Sequence, residues 1–381
     1  MSRFFDLVSK PARDMGGYSP GAPAPSREVR PQLIKLDSNE NPFGPSPRAI
    51  EAMRSTLAAV NTYPDDNCSL LRHKLATEHG LRPEQVLVTP GSTALLGLLC
   101  QTLLGPALNA VTSQRSFIVY SLAVHAAGAH VIEAPMRDDT FDLDAILAAI
   151  DANTRLAFLA NPNNPTGTMV EAATVERFLA RVPGHVVVVL DEAYYEFALH
   201  FAAQRGVTYS RSLDYLRQGA SVVVLRTFSK AHGLAGLRVG YGLGPAELLG
   251  YCARMRNTFS VSSVAQSAAL AALDDQEHIQ RVVENNALQA EALWQGLNDL
   301  GYRAVPTSAN FICCDLGEDA AAVSRRLQDE GVGVRPLGPW GAPNCIRVTI
   351  GTPAQNAAFL NALRRVAERG FIVGSQTLAE S

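Results

Sequence analysis

Apolar positions along this chain fall into two periods. Short, continuous runs rich in β-branched residues recur at 86–89, 110–112, 130–134, 154–160, 185–190 and 221–225, each bounded by turn residues. Such runs read as strands buried on both faces. Between them, apolar residues spaced three and four apart predict helices over 47–60, 69–79, from the Gly91 turn to Leu104, about 116–127, 143–150 and 171–180. In the first of these, Ile50, Met53, Leu57 and Val60 share one face. Repeated strand–helix alternation implies an α/β fold with a mostly parallel sheet between helices. In such folds ligands collect at the carboxyl ends of the strands.

After Arg238 the rhythm changes. Helices are predicted over 247–256, 262–273 and 278–300, then strand 309–313, helix 320–330, strands 332–336 and 345–349, and a last helix over 353–369. This tail reads as a smaller α+β domain. The first thirty residues, rich in Pro and Gly, read as an extended arm, followed by a short strand at 33–36. The expected division is therefore 1–60 for the arm and part of the small domain, 61–275 for the large domain, and 276–381 for the rest of the small domain.

Composition narrows the class. The 381 residues are 47% hydrophobic and 18% charged, enough for a sizeable core in two or three structural units. A formal charge of −3 leaves no basic footprint for nucleic acid. No run approaches the roughly 18 apolar residues of a membrane span, and the N-terminus lacks the apolar stretch of a secretory signal. The six cysteines show no CxxC spacing, which speaks against zinc or a disulfide framework. A cytoplasmic enzyme acting on small molecules, with no metal, is the expectation.

The candidate chemistry centres on TFSKAHGLAGLR, residues 227–238. Lys230 follows a buried strand directly, and Gly233, Gly236 and Arg238 follow it. Alone, this reads better as a surface loop with an ordinary lysine, because most lysines are solvated. Position changes the balance, because Ser92, Asn164, Asp191 and Lys230 all fall at or just past strand ends. A bare aspartate at the end of a buried strand is costly. It is better tolerated when it holds a cation, such as a protonated pyridine nitrogen. A lysine can bond the aldehyde of the same ring as a Schiff base. Asn164 and Tyr194 can hydrogen-bond a phenolic oxygen, and Phe117 can stack on the ring. Ser92, Ser229, Arg238 and the open amides of a strand–Gly–helix junction can hold a phosphate. Every part of pyridoxal phosphate then has a partner.

The segments GYSPG, KLDSNENPFGPSP, TYPD, NPNNPTG, DEAY, RTFSKAHGLAGLRVGY and IRVTIGT occur in this order between Tyr18 and Val366. As a set they resemble the fold-type I pyridoxal-phosphate aminotransferases of class I/II, and within them the histidinol-phosphate aminotransferases. The resemblance implies Lys230 as the Schiff-base lysine and proton carrier of a ping-pong transamination. It implies Asp191 at the pyridine nitrogen, with Asn164 and Tyr194 at the ring oxygen. Ser92, Thr93, Thr227, Ser229 and Arg238 would bind the cofactor phosphate. Tyr63 would reach the cofactor of a second subunit, so a homodimer is implied. Arg347 would take a substrate carboxylate, Arg335 and Tyr18 a substrate phosphate, and Asn39 would also line the substrate side. Histidinol phosphate and 2-oxoglutarate are the implied substrates. An aromatic amino acid such as phenylalanine or tyrosine is the alternative donor. Decarboxylation of a phosphorylated amino acid and cofactor sensing without turnover are the more distant rivals. Two positions depart from the family pattern. Thr93 and Ala94 replace an acidic pair, and Phe117 stands where tyrosine is common.

Overall fold

The computed structural model describes residues 4–5, 7–14 and 33–377. Seven strands form the main sheet: β1 (Val86–Thr89), β2 (Asn109–Ser113), β3 (His130–Ala134), β4 (Thr154–Ala160), β5 (Val187–Asp191), β6 (Val222–Thr227) and β7 (Gly240–Leu243). Their order across the sheet is β1-β7-β6-β5-β4-β2-β3. All pairings are parallel except those of β7, which runs antiparallel between β1 and β6. The central strands are β-branched because both faces are covered. Val188, Val189, Val222, Val223, Val224 and Leu225 are each about fully buried, where a continuous apolar run fits better than an alternating one. Helices such as Ser69–His79, Ser92–Leu103 and Ser263–Leu273 close this core through Leu71, Leu75, Leu95, Leu99, Ala265 and Ala269.

Register aligns the strand ends. Gly240, the first residue of β7, pairs with both Thr89 and Thr227, while Asp191 pairs with Ala160. The carboxyl ends of β1, β4, β5 and β6 therefore open on one edge of the sheet.

A second, antiparallel sheet has the order Arg303–Ala304, Phe311–Asp315 (β8), Cys345–Thr349 (β10) and Arg335–Pro336 (β9). Leu293, Leu297, Val323, Leu327, Phe359 and Leu363, from three helices, cover it. Ile34–Lys35 pairs in parallel with Val332–Gly333, so the start of the described chain joins the C-terminal part. No helix among the described residues is long and apolar enough to cross a membrane.

Several features depart from the sequence expectations. Helix Pro47–Thr56 ends early and passes into a 3-10 turn, Leu57–Ala59. Leu57 and Val60 of its expected apolar face are more than half exposed. The segment 195–205, unassigned in the sequence, is helix Tyr195–Arg205, and the antiparallel strand β7 was also not expected.

Candidate active site

The aligned strand ends and the second sheet enclose a cavity of ≈ 280 Å³. Its wall includes Ser92, Thr93, Phe117, Asn164, Asp191, Tyr194, Thr227, Ser229, Lys230, Arg238, Asn39, Arg335 and Arg347. Thirteen of the fifteen expected site residues thus meet at one place. Tyr63 is not among them. It is 81% exposed and stacks on Phe259 with ring centroids 4.5 Å apart. Tyr18 lies outside the described residues.

Lys230 sits three residues past β6, where the chain turns away from the sheet. Its Nζ donates to the Ser38 carbonyl oxygen at 3.1 Å. Burial, and next the charge of Arg347, lowers its pKa to about 7. The amine is therefore uncharged in a large fraction near neutral pH, which makes it a nucleophile.

Asp191 closes β5 and is buried. Its Oδ2 accepts from the Tyr120 hydroxyl at 2.8 Å, and its Oδ1 from the Ala193 amide at 3.2 Å. Burial raises its pKa to about 6 against these hydrogen bonds. Among the described residues no cationic side chain pairs with it. A carboxylate held in this way suits a cationic ring nitrogen.

Tyr120 was missed in the sequence because SFIVYSLAVHAA is mostly apolar and a tyrosine there reads as core. It is core as well: its ring lies 4.8 Å from that of Phe158, nearly parallel, and meets Phe117 edge-on at 5.5 Å. Only its hydroxyl serves the site.

On the substrate side, the Tyr194 hydroxyl accepts from Asn39 Nδ2 at 3.0 Å and from Asn164 Nδ2 at 3.2 Å. Its own proton stays available to an oxygen in the cavity. Asn39 has a positive φ of 56°, and its amide donates to Thr349 Oγ1 at 2.9 Å. Asn41 instead builds the turn, its Oδ1 accepting from the Phe43 amide at 2.9 Å. Arg347 Nη1 donates to Asn164 Oδ1 and Nη2 to the Asp37 carbonyl oxygen, both at 2.7 Å. Arg335 lies directly across the β9–β10 pair from Arg347. Like charges directly opposite each other are unfavourable unless an anion lies between them.

The phosphate end is built from backbone. Helix Ser92–Leu103 starts at Gly91 without a capping side chain, so its first amides are open to an anion. A Cβ on Gly91 would come within 2.6 Å of Arg238 Nη2. Only glycine lets the guanidinium approach here. Arg238 Nη1 reaches Ser229 Oγ at 3.5 Å, and Ser229 accepts from Thr227 Oγ1 at 3.0 Å. Of the two glycines that follow Lys230, Gly233 lies tightly against Gly44, whereas Gly236 faces open space. The cavity therefore offers a nucleophilic amine, a buried carboxylate and an anion cradle at separate points, which fits pyridoxal phosphate. Trp340 and Ser38 also line it; nothing in their local sequence marked them.

Comparison with known proteins agrees with this arrangement. Histidinol-phosphate aminotransferase 2 of Pseudomonas fluorescens is 44% identical over 372 residues, covering 96% of this chain and 99% of the relative. Histidinol-phosphate aminotransferase of Akkermansia muciniphila is 41% identical, covering 93% of this chain and 96% of the relative. The crystal structure of histidinol-phosphate aminotransferase from Sinorhizobium meliloti in complex with pyridoxal-5'-phosphate superimposes with a TM-score of 0.85 at 28% identity. It covers 96% of this chain and 98% of that one. Residues 31–363 match the family described as aminotransferase class I and II, and this chain belongs to that family.

Proposed function

We propose that the protein is a pyridoxal-phosphate-dependent aminotransferase of histidine biosynthesis, with histidinol phosphate as amino donor and 2-oxoglutarate as acceptor. The observation that carries the substrate reading is the pair of arginines, Arg335 and Arg347, opposed across two strands at the cavity that also holds Lys230 and Asp191. Such a pair suits substrates that each bring an anion: a phosphate in one half-reaction, carboxylates in the other.

Bound pyridoxal phosphate supplies an electron sink for the substrate carbon that loses its proton. Asp191, held by the Tyr120 hydroxyl, would pair with the cationic ring nitrogen. Tyr194 and Asn164 hydrogen-bond the ring oxygen, and Phe117 stacks on the ring. Arg238, Ser229, Thr227 and the Ser92 and Thr93 amides bind the phosphate. Arg347 fixes the carboxylate of glutamate, while Arg335, with Tyr18, takes the substrate phosphate. Asn39 orients Tyr194. Lys230 Nζ would carry the proton that leaves the donor's carbon, and its depressed pKa would let it act as a base near pH 7.

In this reading residues 61–275 form the cofactor domain, and the segments 1–60 and 276–381 form the smaller one; the pairing of Ile34–Lys35 with Val332–Gly333 supports that grouping. The active unit is a homodimer in which Tyr63 reaches the partner's cofactor phosphate. Exposure of Tyr63, Leu57, Val60 and Leu70 on neighbouring stretches supports this, and light scattering would measure it. Six free cysteines suit the reducing cytoplasm.

The test is spectroscopic. Protein reconstituted with pyridoxal phosphate should show a pH-sensitive visible band that Lys230→Ala abolishes. A protein that stays colourless refutes the reading. Single-turnover rates with histidinol phosphate against phenylalanine decide the donor.

A further inference from the structure

We propose that Asp66, clamped by Arg256, positions Tyr63 for the second subunit by holding Phe259 in a turn whose ring backs the tyrosine. The proposal rests on the reading that Tyr63 reaches the partner's cofactor phosphate. Tyr63 is 81% exposed and sits on a loop, where a tyrosine ordinarily changes rotamer freely. Here its ring is stacked on Phe259, with centroids 4.5 Å apart and planes at 24°. Phe259 is itself in an unusual state. Its φ is +54°, in the left-handed region that bulky side chains rarely enter. Such a backbone persists only where its surroundings over-determine it.

Asp66 supplies that constraint. Its Oδ1 accepts from the Phe259 amide. Arg256, three residues before Phe259, donates through Nη1 to Oδ1 at 3.1 Å and to the Asp66 carbonyl oxygen, and through Nη2 to Oδ2 at 2.8 Å. The side chains of Arg256 and Asp66 are 12% and 29% exposed, so this charged fork is largely out of water and directional. Asp65 fixes the loop from its other side. Its Oδ2 accepts from the Ser69 amide at 2.7 Å, at the start of helix Ser69–His79, and its carbonyl oxygen accepts from Gln266 Nε2 at 2.9 Å. Tying two loops together needs only the ion pair. The left-handed turn does more: it holds out an aromatic face, and Tyr63 lies on that face. A ring set in place beforehand loses less freedom when it meets its target, which raises affinity without a new contact.

The test separates phosphate recognition from general stability. Dissociation constants of pyridoxal phosphate, and of pyridoxal, which lacks the phosphate, are read from the visible band at concentrations where light scattering shows a dimer. Tyr63→Phe should weaken pyridoxal phosphate about tenfold or more, as for a hydrogen bond to a charged group, and leave pyridoxal unchanged. Asp66→Ala should weaken pyridoxal phosphate about three- to tenfold, the cost of ordering one side chain, again without touching pyridoxal. Added to Tyr63→Phe it should have no further effect, because both act through one hydroxyl. Phe259→Gly keeps the left-handed turn and removes the ring. It should behave as Asp66→Ala does, and it decides the matter should Asp66→Ala fail to fold or to pair. Suppose Tyr63→Phe weakens pyridoxal phosphate. If Asp66→Ala or Phe259→Gly then leaves its binding at the wild-type value, adds in full to Tyr63→Phe, or weakens pyridoxal equally, Asp66 is a structural tie only and Tyr63 stands without it. If Tyr63→Phe changes nothing, the reading of Tyr63 fails and takes its positioning with it.

Discussion

Replacing Asp191 by asparagine should change how the stability of the protein depends on pH and on cofactor. The buried carboxylate titrates at about 6, against an ordinary 3.8, chiefly because burial disfavours its charge. Between those two pH values the unfolded chain has released the proton while the folded chain keeps it. Stability of the cofactor-free protein therefore falls as pH rises through this window and stays lowered above pH 6. Two pH units at about 1.4 kcal/mol each make the cost about 3 kcal/mol. Asp191→Asn removes the titration. The asparagine oxygen can take the Ala193 amide and the Tyr120 hydroxyl can accept from the new NH₂, but the buried Tyr120 proton loses its acceptor, a cost of about 1–3 kcal/mol that does not vary with pH in this range. In thermal melts of the cofactor-free proteins the difference between the two should shift in favour of the asparagine variant by several degrees from pH 4 to pH 8. With pyridoxal phosphate in excess wild type should be favoured, because only the aspartate pairs with the ring cation, and bound ligand stabilises in proportion to its affinity. A difference between the two proteins that stays the same from pH 4 to pH 8 without cofactor refutes the argument. It would mean that Asp191 is already compensated inside the protein.

Other outcomes follow from the same geometry. Recombination of the cofactor-free protein with pyridoxal phosphate needs the neutral amine of Lys230, whose pKa is about 7. Its rate should climb through pH 7 and level off; a climb centred near pH 10 would contradict the buried setting. Arg347→Lys keeps the charge but loses the two forked contacts at 2.7 Å. KM for glutamate should rise on the order of 10- to 100-fold, as expected for hydrogen bonds to a charged group, with a smaller change in kcat. Gly233 has a φ of +71°, and a Cβ there would run into the Gly44 carbonyl. Gly233→Ala should lower the melting temperature by an amount equivalent to more than about 1 kcal/mol, and an unchanged melt would disprove the packing argument.

Much of this was legible in the chain because burial on both faces leaves a plain signature. The valine runs before Asp191 and Thr227 could only be central strands, and they place Asp191 and Lys230 on one edge. What escaped notice did so for physical reasons. Strand β7 is Gly-Tyr-Gly-Leu, too poor in β-branched residues to signal a strand, and it runs against its neighbours. Helix Ser212–Arg217 has six residues, too few to show a period. Leu57 and Val60 follow the helical period yet lie exposed, because periodicity reports an apolar face without saying what covers it. Asn39 shows a limit of another kind. An asparagine in a loop of prolines and glycines satisfies a turn as well as a site, and only its approach to Tyr194, 155 positions away, separates the two.

The strand edge that carries the site also needs something to hold its geometry, and two residues outside the cavity supply it. Glu192 and Arg226, next to Asp191 and Thr227 in sequence, are buried and paired at 2.8 Å. Arg226 Nε and Nη2 both donate to Glu192 Oε2, while Ser210 donates to Oε1. The guanidinium also lies 3.5 Å from the centre of the Tyr195 ring. A buried ion pair is a weak source of stability, because desolvation offsets the attraction, but breaking one costs about 3–5 kcal/mol. Its effect is therefore to penalise any displacement of β5 against β6. The flanking residues are Asp191 and the turn to Lys230, which in the proposed mechanism would have to stay in register with one cofactor ring. A purely apolar contact would tolerate a small slide at little cost; a forked, directional pair does not. Alternation along each strand sends Asp191 toward the cavity and Glu192 away from it, so one strand end carries both a group that faces the site and the clamp that positions it.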